Sequence, residues 1–234
     1  MRAPLKAFLI IGVLASAPLA TAQDEGPPVA VEKAAYHWPI FSNEYIMMLR
    51  VYMRPGKGSN FHTHSLDQIS ILVEAGANEG QVFGKKEKSA PKAGTRGNVG
   101  FTAYSKRQPF THRSTNTAST PFNNIVVALL KPGPGTFTPQ ARDVPGYRQL
   151  FDNERVRAWR LQLEPGQSAG PITQTAPGLR VIIDGDELSE IIKGEMDRPL
   201  ALRSGDFYWQ EPGATRTIRN TGTTAINVVE FDLK

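Results

Sequence analysis

Residues 56–76 read GKGSNFHTHSLDQISILVEAG and place two histidines just ahead of an apolar run. His62 and His64 are two residues apart, so in an extended strand both side chains point to the same face of a sheet. Two imidazoles on one face, with Gln68 four residues further along it, suit a transition metal. His112 comes much later, and the fold must bring it across the chain. We predict that three of the four histidines converge on one metal site.

Outward from this stretch, short apolar runs separated by turn residues predict an all-β chain. No segment has a long 3.6-residue period, and 21 glycines and 18 prolines supply the turns. Residues 24–35 contain proline and glutamate and are expected to form a loose arm. The predicted strands are Tyr45–Met53, Ile69–Glu74, Val99–Tyr104, Asn124–Leu130, Val156–Leu163, Leu179–Ile183, Leu188–Ile192, Asp206–Trp209, Thr215–Arg219 and Ala225–Leu233.

The second half of the chain repeats the pattern of the first. The repeated segments are Arg54-Pro55-Gly56 with Glu164-Pro165-Gly166, Gly97–Phe101 with Gly205–Trp209, and His112–Asn116 with Arg216–Asn220. Residues 131–146, which are rich in proline and glycine, predict a linker between the copies. We therefore predict two copies of one β-domain, over residues 23–140 and 141–234.

The second copy lacks the histidines of the first. The positions that match His62, His64 and His112 hold Ile172, Gln174 and Arg216. An isoleucine and an arginine cannot replace two imidazoles, so we expect no metal there and expect this domain to pack against the first. Arg216 is predicted to form an internal ion pair, with Glu211 or Asp184 as candidate partners, and binding of an anion is the alternative.

These motifs resemble those of the cupin superfamily, and the duplication resembles its two-barrel members, the bicupins. The family's first motif, G-x5-H-x-H-x3,4-E-x6-G, corresponds to Gly56, His62, His64, Gln68 and Gly76, with one extra residue before the last glycine. Its second motif, G-x5-P-x-G-x2-H-x3-N, corresponds to Gly100, Pro109, His112 and Asn116, without the glycine that precedes the histidine. The resemblance covers roughly residues 40–234. It implies two tandem jelly-roll β-barrels with a metal inside the first.

The resemblance also implies one divalent transition metal, and Fe, Mn, Ni, Cu and Zn all suit the predicted ligands His62, His64 and His112. Gln68 replaces the family's acidic ligand, and it either ligates through its carbonyl oxygen or hydrogen-bonds a bound water. Without a carboxylate the charge of the metal is uncompensated, which favours an anionic substrate or a bound hydroxide. His37 precedes the repeat, so we expect an outer or surface residue rather than a fourth ligand.

Cupins with three-histidine sites include dioxygenases of thiols and diketones, and bicupins include flavonol dioxygenases, oxalate-metabolising enzymes and pirins. The resemblance therefore implies a metalloenzyme, foremost a dioxygenase of a small organic substrate, although no catalytic residue is assigned. The missing carboxylate weakens the oxalate decarboxylase alternative. A non-catalytic protein that holds a metal or a metabolite, or a vestigial site, remains open. The residues expected to line the substrate pocket, with ordinary core packing as the alternative, are Phe61, Phe101, Tyr104 and Phe110.

Residues 1–22 read MRAPLKAFLIIGVLASAPLATA, with Arg2 and Lys6 ahead of an apolar stretch. Ala20-Thr21-Ala22 ends this stretch as a small-residue cleavage signal, which predicts a signal peptide and a periplasmic or secreted protein with no integral membrane segment after cleavage. An uncleaved anchor is the alternative. Loss of the peptide lowers the formal charge from +5 to +3, which gives little support for nucleic-acid binding. The absence of cysteine excludes disulfides and thiolate sites. A homodimer is left open.

Overall fold

The computed structural model describes residues 26–138, 140–192 and 195–234, and this part of the chain is almost entirely β-sheet. Its strands are numbered β1 to β19 in chain order, and single-turn 3-10 helices lie at Val31–Lys33 and Tyr104–Lys106. The prediction of an all-β chain is confirmed. The predicted signal peptide, residues 1–22, lies outside the described residues. No helix in the described part of the chain is long and apolar enough to cross a membrane.

The first barrel is built from two five-stranded sheets that enclose a common interior. Sheet A contains, in spatial order, β1 (Val29–Ala30), β4 (His62–His64), β9 (Phe110–Asn116), β6 (Ala77–Val82) and β7 (Lys92–Ala93). Sheet B contains β2 (His37–Ser42), β3 (Ile46–Met53), β10 (Phe122–Leu129), β5 (Gln68–Glu74) and β8 (Val99–Thr102). Neighbouring strands are antiparallel, except that β1 and β4 are parallel.

The second barrel repeats this order, which confirms the tandem duplication. Sheet C contains β11 (Tyr147–Asp152), β12 (Val156–Leu163), β19 (Ile226–Leu233), β14 (Gly178–Asp184) and β17 (Phe207–Gln210). Sheet D contains β13 (Ser168–Thr173), β18 (Thr215–Asn220), β15 (Glu187–Ile192) and β16 (Arg198–Ala201). Sheet C follows the strand order of sheet B, and sheet D follows β4, β9, β6 and β7 of sheet A.

A buried asparagine holds the same turn closed in each barrel. Asn116 donates a hydrogen bond from Nδ2 to the carbonyl oxygen of Met53, at the end of β3, at 2.9 Å. Asn220 makes the matching bond to Leu163, at the end of β12, also at 2.9 Å. Both asparagines are fully buried. The residue that ends the second motif is therefore a structural anchor of the repeat.

The largest apolar core lies between the barrels, where the outer faces of sheets B and C pack together. Sheet B contributes Ile46, Met48, Ile69, Ile71, Val73, Ile125, Val127 and Leu129. Sheet C contributes Val156, Ala158, Leu179, Val181, Ile183, Val229, Phe231 and Leu233. Because the inner face of sheet B also faces a barrel interior, its central strands have both faces covered. This explains why β5 reads as a nearly continuous apolar run rather than an alternating one.

Polar contacts around this core join the two barrels. The guanidinium of Arg96 donates to the carbonyl oxygen of Ile183 at 2.7 Å. Asp67 accepts the backbone N–H of Ser105 at 2.8 Å and pairs with Arg155 of the second barrel at 2.9 Å. The carboxylate next to Gln68 in sequence therefore serves the interface between the barrels and not the interior of the first.

The structure contains all ten predicted strands, with small shifts at their ends. The prediction of a loose N-terminal arm was wrong for the described residues, because Val29–Ala30 forms β1 and pairs with His62 and Thr63. The strands that were not predicted are β1, β2, β4, β6, β7, β9, β11, β13 and β16. Among them β6 and the edge strands β7 and β16 are exposed or half exposed, so their sequences carry no apolar pattern.

The shared core predicts that both barrels unfold together. Phe231→Ala removes a buried ring between sheets B and C and is expected to lower the free energy of unfolding by about 3–5 kcal/mol. Urea denaturation followed by circular dichroism measures it. Phe83→Ala is the control, because Phe83 is half exposed and its loss is expected to cost less than about 1 kcal/mol. Two separate transitions, with only the second shifted by Phe231→Ala, would contradict the shared core.

Candidate metal centre

Three histidines meet inside the first barrel. His62 and His64 lie on β4, and both side chains are buried because they share the inner face of sheet A. His112 lies on the neighbouring strand β9, directly opposite His62 in the register. One ring nitrogen from each of the three lies within 4.8 Å of the other two. The register of two antiparallel strands therefore joins residues that are 50 positions apart in sequence.

The spacing of these nitrogens suits one metal ion. Two imidazole nitrogens that each lie roughly 2.0–2.1 Å from one ion are separated by roughly 2.9–3.4 Å for bond angles between octahedral and tetrahedral values. The Nε2 atoms of His64 and His112 are 3.1 Å apart. The donor set therefore fits a divalent transition metal, with His62, His64 and His112 as the residues that would hold it.

Carbonyl oxygens orient two of the rings. Nδ1 of His62 donates to the backbone carbonyl of Asn60 at 3.0 Å, and Nδ1 of His64 donates to Oε1 of Gln68 at 2.8 Å. A proton on Nδ1 leaves the lone pair on Nε2, which in His64 is the atom that lies 3.1 Å from Nε2 of His112. Hydrogen bonds of this kind fix the tautomer and direction of metal-binding histidines.

Burial keeps the three histidines neutral. It lowers the pKa of His64 to about 4 and that of His112 to about 3, and it also lowers the pKa of His62. The neighbouring imidazoles lower the pKa values of His64 and His112 further, because a second positive charge is unfavourable beside a first. All three rings are therefore neutral near pH 7, which is the state that can bind a metal.

Gln68 lies at the start of β5 and lines the same cavity. Its side-chain oxygen Oε1 accepts the hydrogen bond from Nδ1 of His64. Gln68 therefore contacts Nδ1 of this ring and not the Nε2 atoms that face one another. Neither of the two roles expected from the sequence describes this contact. A β4 residue and a β5 residue meet here because sheets A and B enclose the same interior.

The triad lies in a cavity of about 210 Å³. The wall opposite the histidines comes from sheet B. The other residues that line the cavity are His37, Val51, Met53, Gln68, Asn78, Tyr104, Ser114, Phe122, Asn124 and Val126. None of these side chains carries a formal charge, so among the described residues nothing charged would contact a bound molecule besides a metal.

The four aromatic residues expected in the pocket lie in different places. Tyr104 lines the cavity and stacks on His64, with ring centroids 5.2 Å apart. Phe110 packs against the ring of His112 at 4.8 Å, but it is outside the cavity lining and partly exposed at the start of β9. Phe61 is outside the cavity lining, because it directly precedes the inward-facing His62 and its ring instead packs against Phe83 and Arg113. Phe101 is also outside it and packs against the core shared by the barrels.

His37 is closer to the site than sequence reasoning indicates. It lies on β2 in sheet B, lines the cavity and is buried, with its ring centroid 4.6 Å from that of His62. It is outside the group of three whose nitrogens are mutually close. No motif marks this position, since His37 precedes the repeated segments. The one feature of the sequence that could have indicated His37 is that the chain has only four histidines.

The second barrel has different side chains at the corresponding positions. Ile172 lies opposite Arg216 in the register, just as His62 lies opposite His112 in the first barrel. Nη2 of Arg216 donates to Oε1 of Gln174 at 2.9 Å. The three positions identified from the repeat therefore come together in the second barrel as well, as an apolar side chain, an amide and a guanidinium.

The ion-pair partners expected for Arg216 were wrong. Its guanidinium lies 3.8 Å from Glu190 and 3.9 Å from Glu230, both of which point into the barrel. Glu211 instead accepts a hydrogen bond from its neighbour Trp209, and Asp184 pairs with Arg96 of the first barrel. Both of the expected partners lie outside the barrel interior, where the guanidinium of Arg216 cannot reach them.

The same interior also holds a cluster of paired charges. Arg180 is fully buried and donates to Glu230 at 2.6 Å. Arg142 pairs with Glu230 and with Asp232, the latter at 2.8 Å. With Arg216 and Glu190 the cluster holds three arginines and three carboxylates, all buried. The three positive and three negative charges of this cluster therefore balance one another.

Solved structures of other proteins share this fold. AerE from Microcystis aeruginosa is 14% identical, with a TM-score of 0.59, over 88% of this chain and 98% of that chain. A cupin 2 conserved barrel domain protein from Leptotrichia buccalis is 10% identical, with a TM-score of 0.53, over 86% of this chain and 89% of that chain.

Salicylate 1,2-dioxygenase from Pseudaminobacter salicylatoxidans is 13% identical, with a TM-score of 0.53, over 81% of this chain and 71% of that chain. The same enzyme has been solved as adducts with gentisate. No protein-family model and no curated sequence matches the chain. At these low identities the likeness concerns the fold. The chain is thus a protein of the cupin fold, with two tandem jelly-roll barrels and a histidine triad inside the first.

Proposed function

We propose that the chain is a metalloprotein that binds one divalent transition metal through His62, His64 and His112 and acts as a dioxygenase on a small organic substrate. The convergence of three neutral, buried imidazoles on one point of a cavity carries this proposal. The likeness of the fold to salicylate 1,2-dioxygenase supports the reaction class.

The charge of the site favours an anionic substrate. A bound divalent metal supplies Lewis acidity and open positions for a chelating ligand. The protein contributes neutral ligands and an uncharged cavity wall, so the positive charge remains for the substrate to balance. A single carboxylate with an adjacent hydroxyl or carbonyl oxygen matches these requirements. Within the part of the chain that the structure describes, no arginine or lysine lines the cavity to pair with a second carboxylate.

The size of the cavity favours a single ring. A cavity of about 150 Å³ lined by apolar side chains holds benzene. The 210 Å³ found here therefore accommodates one substituted ring between the triad and the apolar residues Val51, Met53 and Phe122. Flavonols, with three rings, exceed this volume. We infer that the substrate is a single-ring or similarly small chelating monoanion.

Gln68 is proposed to orient His64 and not to bind the metal. Its Oε1 is engaged by Nδ1 of His64, which directs the Nε2 lone pair of that ring toward the other two histidines. A carboxylate or carbonyl commonly accepts such a hydrogen bond behind a metal-binding histidine, and this supports the proposed role.

A non-catalytic metal- or metabolite-binding protein is the second candidate. The absence of any carboxylate among the cavity-lining residues favours it, since the wall offers no acidic group for proton transfer. In either case we propose that the protein is exported, because residues 1–22 have the features of a signal peptide. Identification of the N-terminal residue of the mature protein tests this prediction.

Metal binding is expected to depend on the triad. Wild-type protein should take up about one equivalent of Zn²⁺ per chain, as a three-histidine site binds one ion. His62→Ala and His112→Ala should each abolish uptake while the circular dichroism spectrum is retained. Thr63→Ala is the matched control, because Thr63 lies between the two β4 histidines and bonds to Thr111 on the other face. Elemental analysis that finds no metal in wild-type protein after incubation with Fe, Mn, Ni, Cu or Zn would exclude the site.

The proposed role of Gln68 predicts a weakened site and not a lost one. Gln68→Leu removes the acceptor for His64 Nδ1 and is expected to lower the Zn²⁺ affinity by about 10–100-fold, the usual effect of removing a partner behind a ligand. Gln162→Leu, at an exposed position on β12, is the control. Competition with a chromogenic chelator measures both affinities. An unchanged affinity in Gln68→Leu would contradict the orienting role.

Oxygen consumption separates the two candidate functions. Fe²⁺-loaded protein is expected to consume O₂ with single-ring chelating monoanions such as salicylate and gentisate, and not with flavonols, because of the cavity volume. An oxygen electrode measures the rate, and His112→Ala is the inactive control. Binding of these anions without O₂ consumption for any metal would favour the non-catalytic candidate.

A further inference from the structure

His37 has a free hydrogen-bond acceptor inside the cavity. Its Nδ1 donates to the backbone carbonyl of Ala35 at 3.0 Å, so the lone pair lies on Nε2. The side chain is 9% exposed and lines the cavity, and no described residue bonds to Nε2. A molecule in the cavity is therefore the available partner for this nitrogen.

The position of His37 separates it from the metal ligands. It belongs to sheet B, whereas His62, His64 and His112 belong to sheet A. Its ring lies beside that of His62, but its nitrogens are outside the mutually close group of three. His37 thus adds a polar group to the cavity wall at one side of the triad. It lies next to the apolar side chain of Val51, its partner in the register.

The second barrel shows that this position faces a barrel interior in both copies. His37 lies opposite Val51 on β3, and Tyr147 lies opposite Leu161 at the matching place on β12. The hydroxyl of Tyr147 donates to Glu230 inside the second barrel at 3.0 Å. The corresponding place is thus polar in each barrel. In the second barrel the hydroxyl of Tyr147 has a protein partner, whereas Nε2 of His37 in the first barrel has none among the described residues.

We propose that His37 is a specificity-determining residue that accepts a hydrogen bond from a hydroxyl group on the substrate ring. This inference rests on the proposed function, since it assumes a chelating ligand held at the triad. The hydroxyl in question is a second one, away from the chelating pair, because the ring of His37 stands to one side of the ligands. The substrate class is then a hydroxylated single-ring monoanion and not its unsubstituted analogue.

Two related anions test this inference without any variant. Gentisate and salicylate share a carboxylate and an adjacent hydroxyl, and gentisate carries one further ring hydroxyl. Zn²⁺-loaded protein has no redox chemistry, so calorimetric titration measures binding alone. We expect wild-type protein to bind gentisate roughly tenfold more tightly than salicylate, the effect of one neutral hydrogen bond.

Variants at His37 locate the source of the preference. His37→Phe keeps a ring but removes the acceptor, and it is expected to bind the two anions equally with Zn²⁺ affinity retained. His37→Gln offers an acceptor oxygen and should restore part of the preference. Trp38→Phe is the matched control, because Trp38 is the next residue of β2 and its side chain is exposed.

Each outcome is decisive. Equal affinities in wild-type protein, or a preference that persists in His37→Phe, would overturn the inference. Loss of Zn²⁺ binding in a folded His37→Phe would also overturn it, since His37 would then be a ligand. Should His37→Phe fail to fold, the wild-type comparison and His37→Gln decide. Failure of wild-type protein to bind Zn²⁺ or either anion would instead overturn the proposed function.

Discussion

Sheet B has both of its faces covered, and the two faces meet different partners. Its outer face packs against sheet C in the core that joins the barrels, with residues such as Ile71 and Phe231 fully buried. Its inner face lines the cavity of the first barrel, with Val51 and Met53 opposite the histidines. Burial of apolar surface is the dominant stabilising term in folding. Because much of it lies between the barrels, the first barrel keeps an open interior without losing its main source of stability.

The interiors of the two barrels correspond in position but hold different side chains. In the first, neutral imidazoles surround a cavity and leave the charge of a metal to be balanced by a ligand. In the second, Arg216 stands where His112 stands and is enclosed by Glu190, Glu230 and Gln174. Buried charges require partners, and here the protein supplies all of them. The first interior therefore leaves the charge of a metal for a ligand to balance, whereas in the second the buried charges balance one another.

The repeat made much of this architecture predictable. Asn116 and Asn220, with the two Pro-Gly turns, mark equivalent places, and the matched strands follow in the same order in each barrel. The alternation of side chains along a strand was sufficient to place His62 and His64 on one face. Alternation alone could not place His112 beside them, because its position depends on the register between β4 and β9. The resemblance to the second cupin motif predicted that position.

Contacts across sheets could not be predicted in this way. His37 and Gln68 reach the triad from sheet B, and their distances from His62 and His64 depend on how two sheets face each other. The ion-pair partners predicted for Arg216 were wrong for the same reason, because the sequence alone does not show which acidic side chains point into the barrel. Phe61 and Phe101 are near the motifs in sequence, but their side chains point away from the cavity and do not line it.

The central claim is that one interior binds a metal and the other does not. Crystals of the protein soaked in Zn²⁺ test it through anomalous diffraction at the zinc edge. The account predicts one strong peak per chain, within about 2.0–2.1 Å of the ring nitrogens of His62, His64 and His112, and none among Arg142, Arg180 and Arg216. The absence of a peak at the histidines, or a peak inside the second barrel, would contradict it.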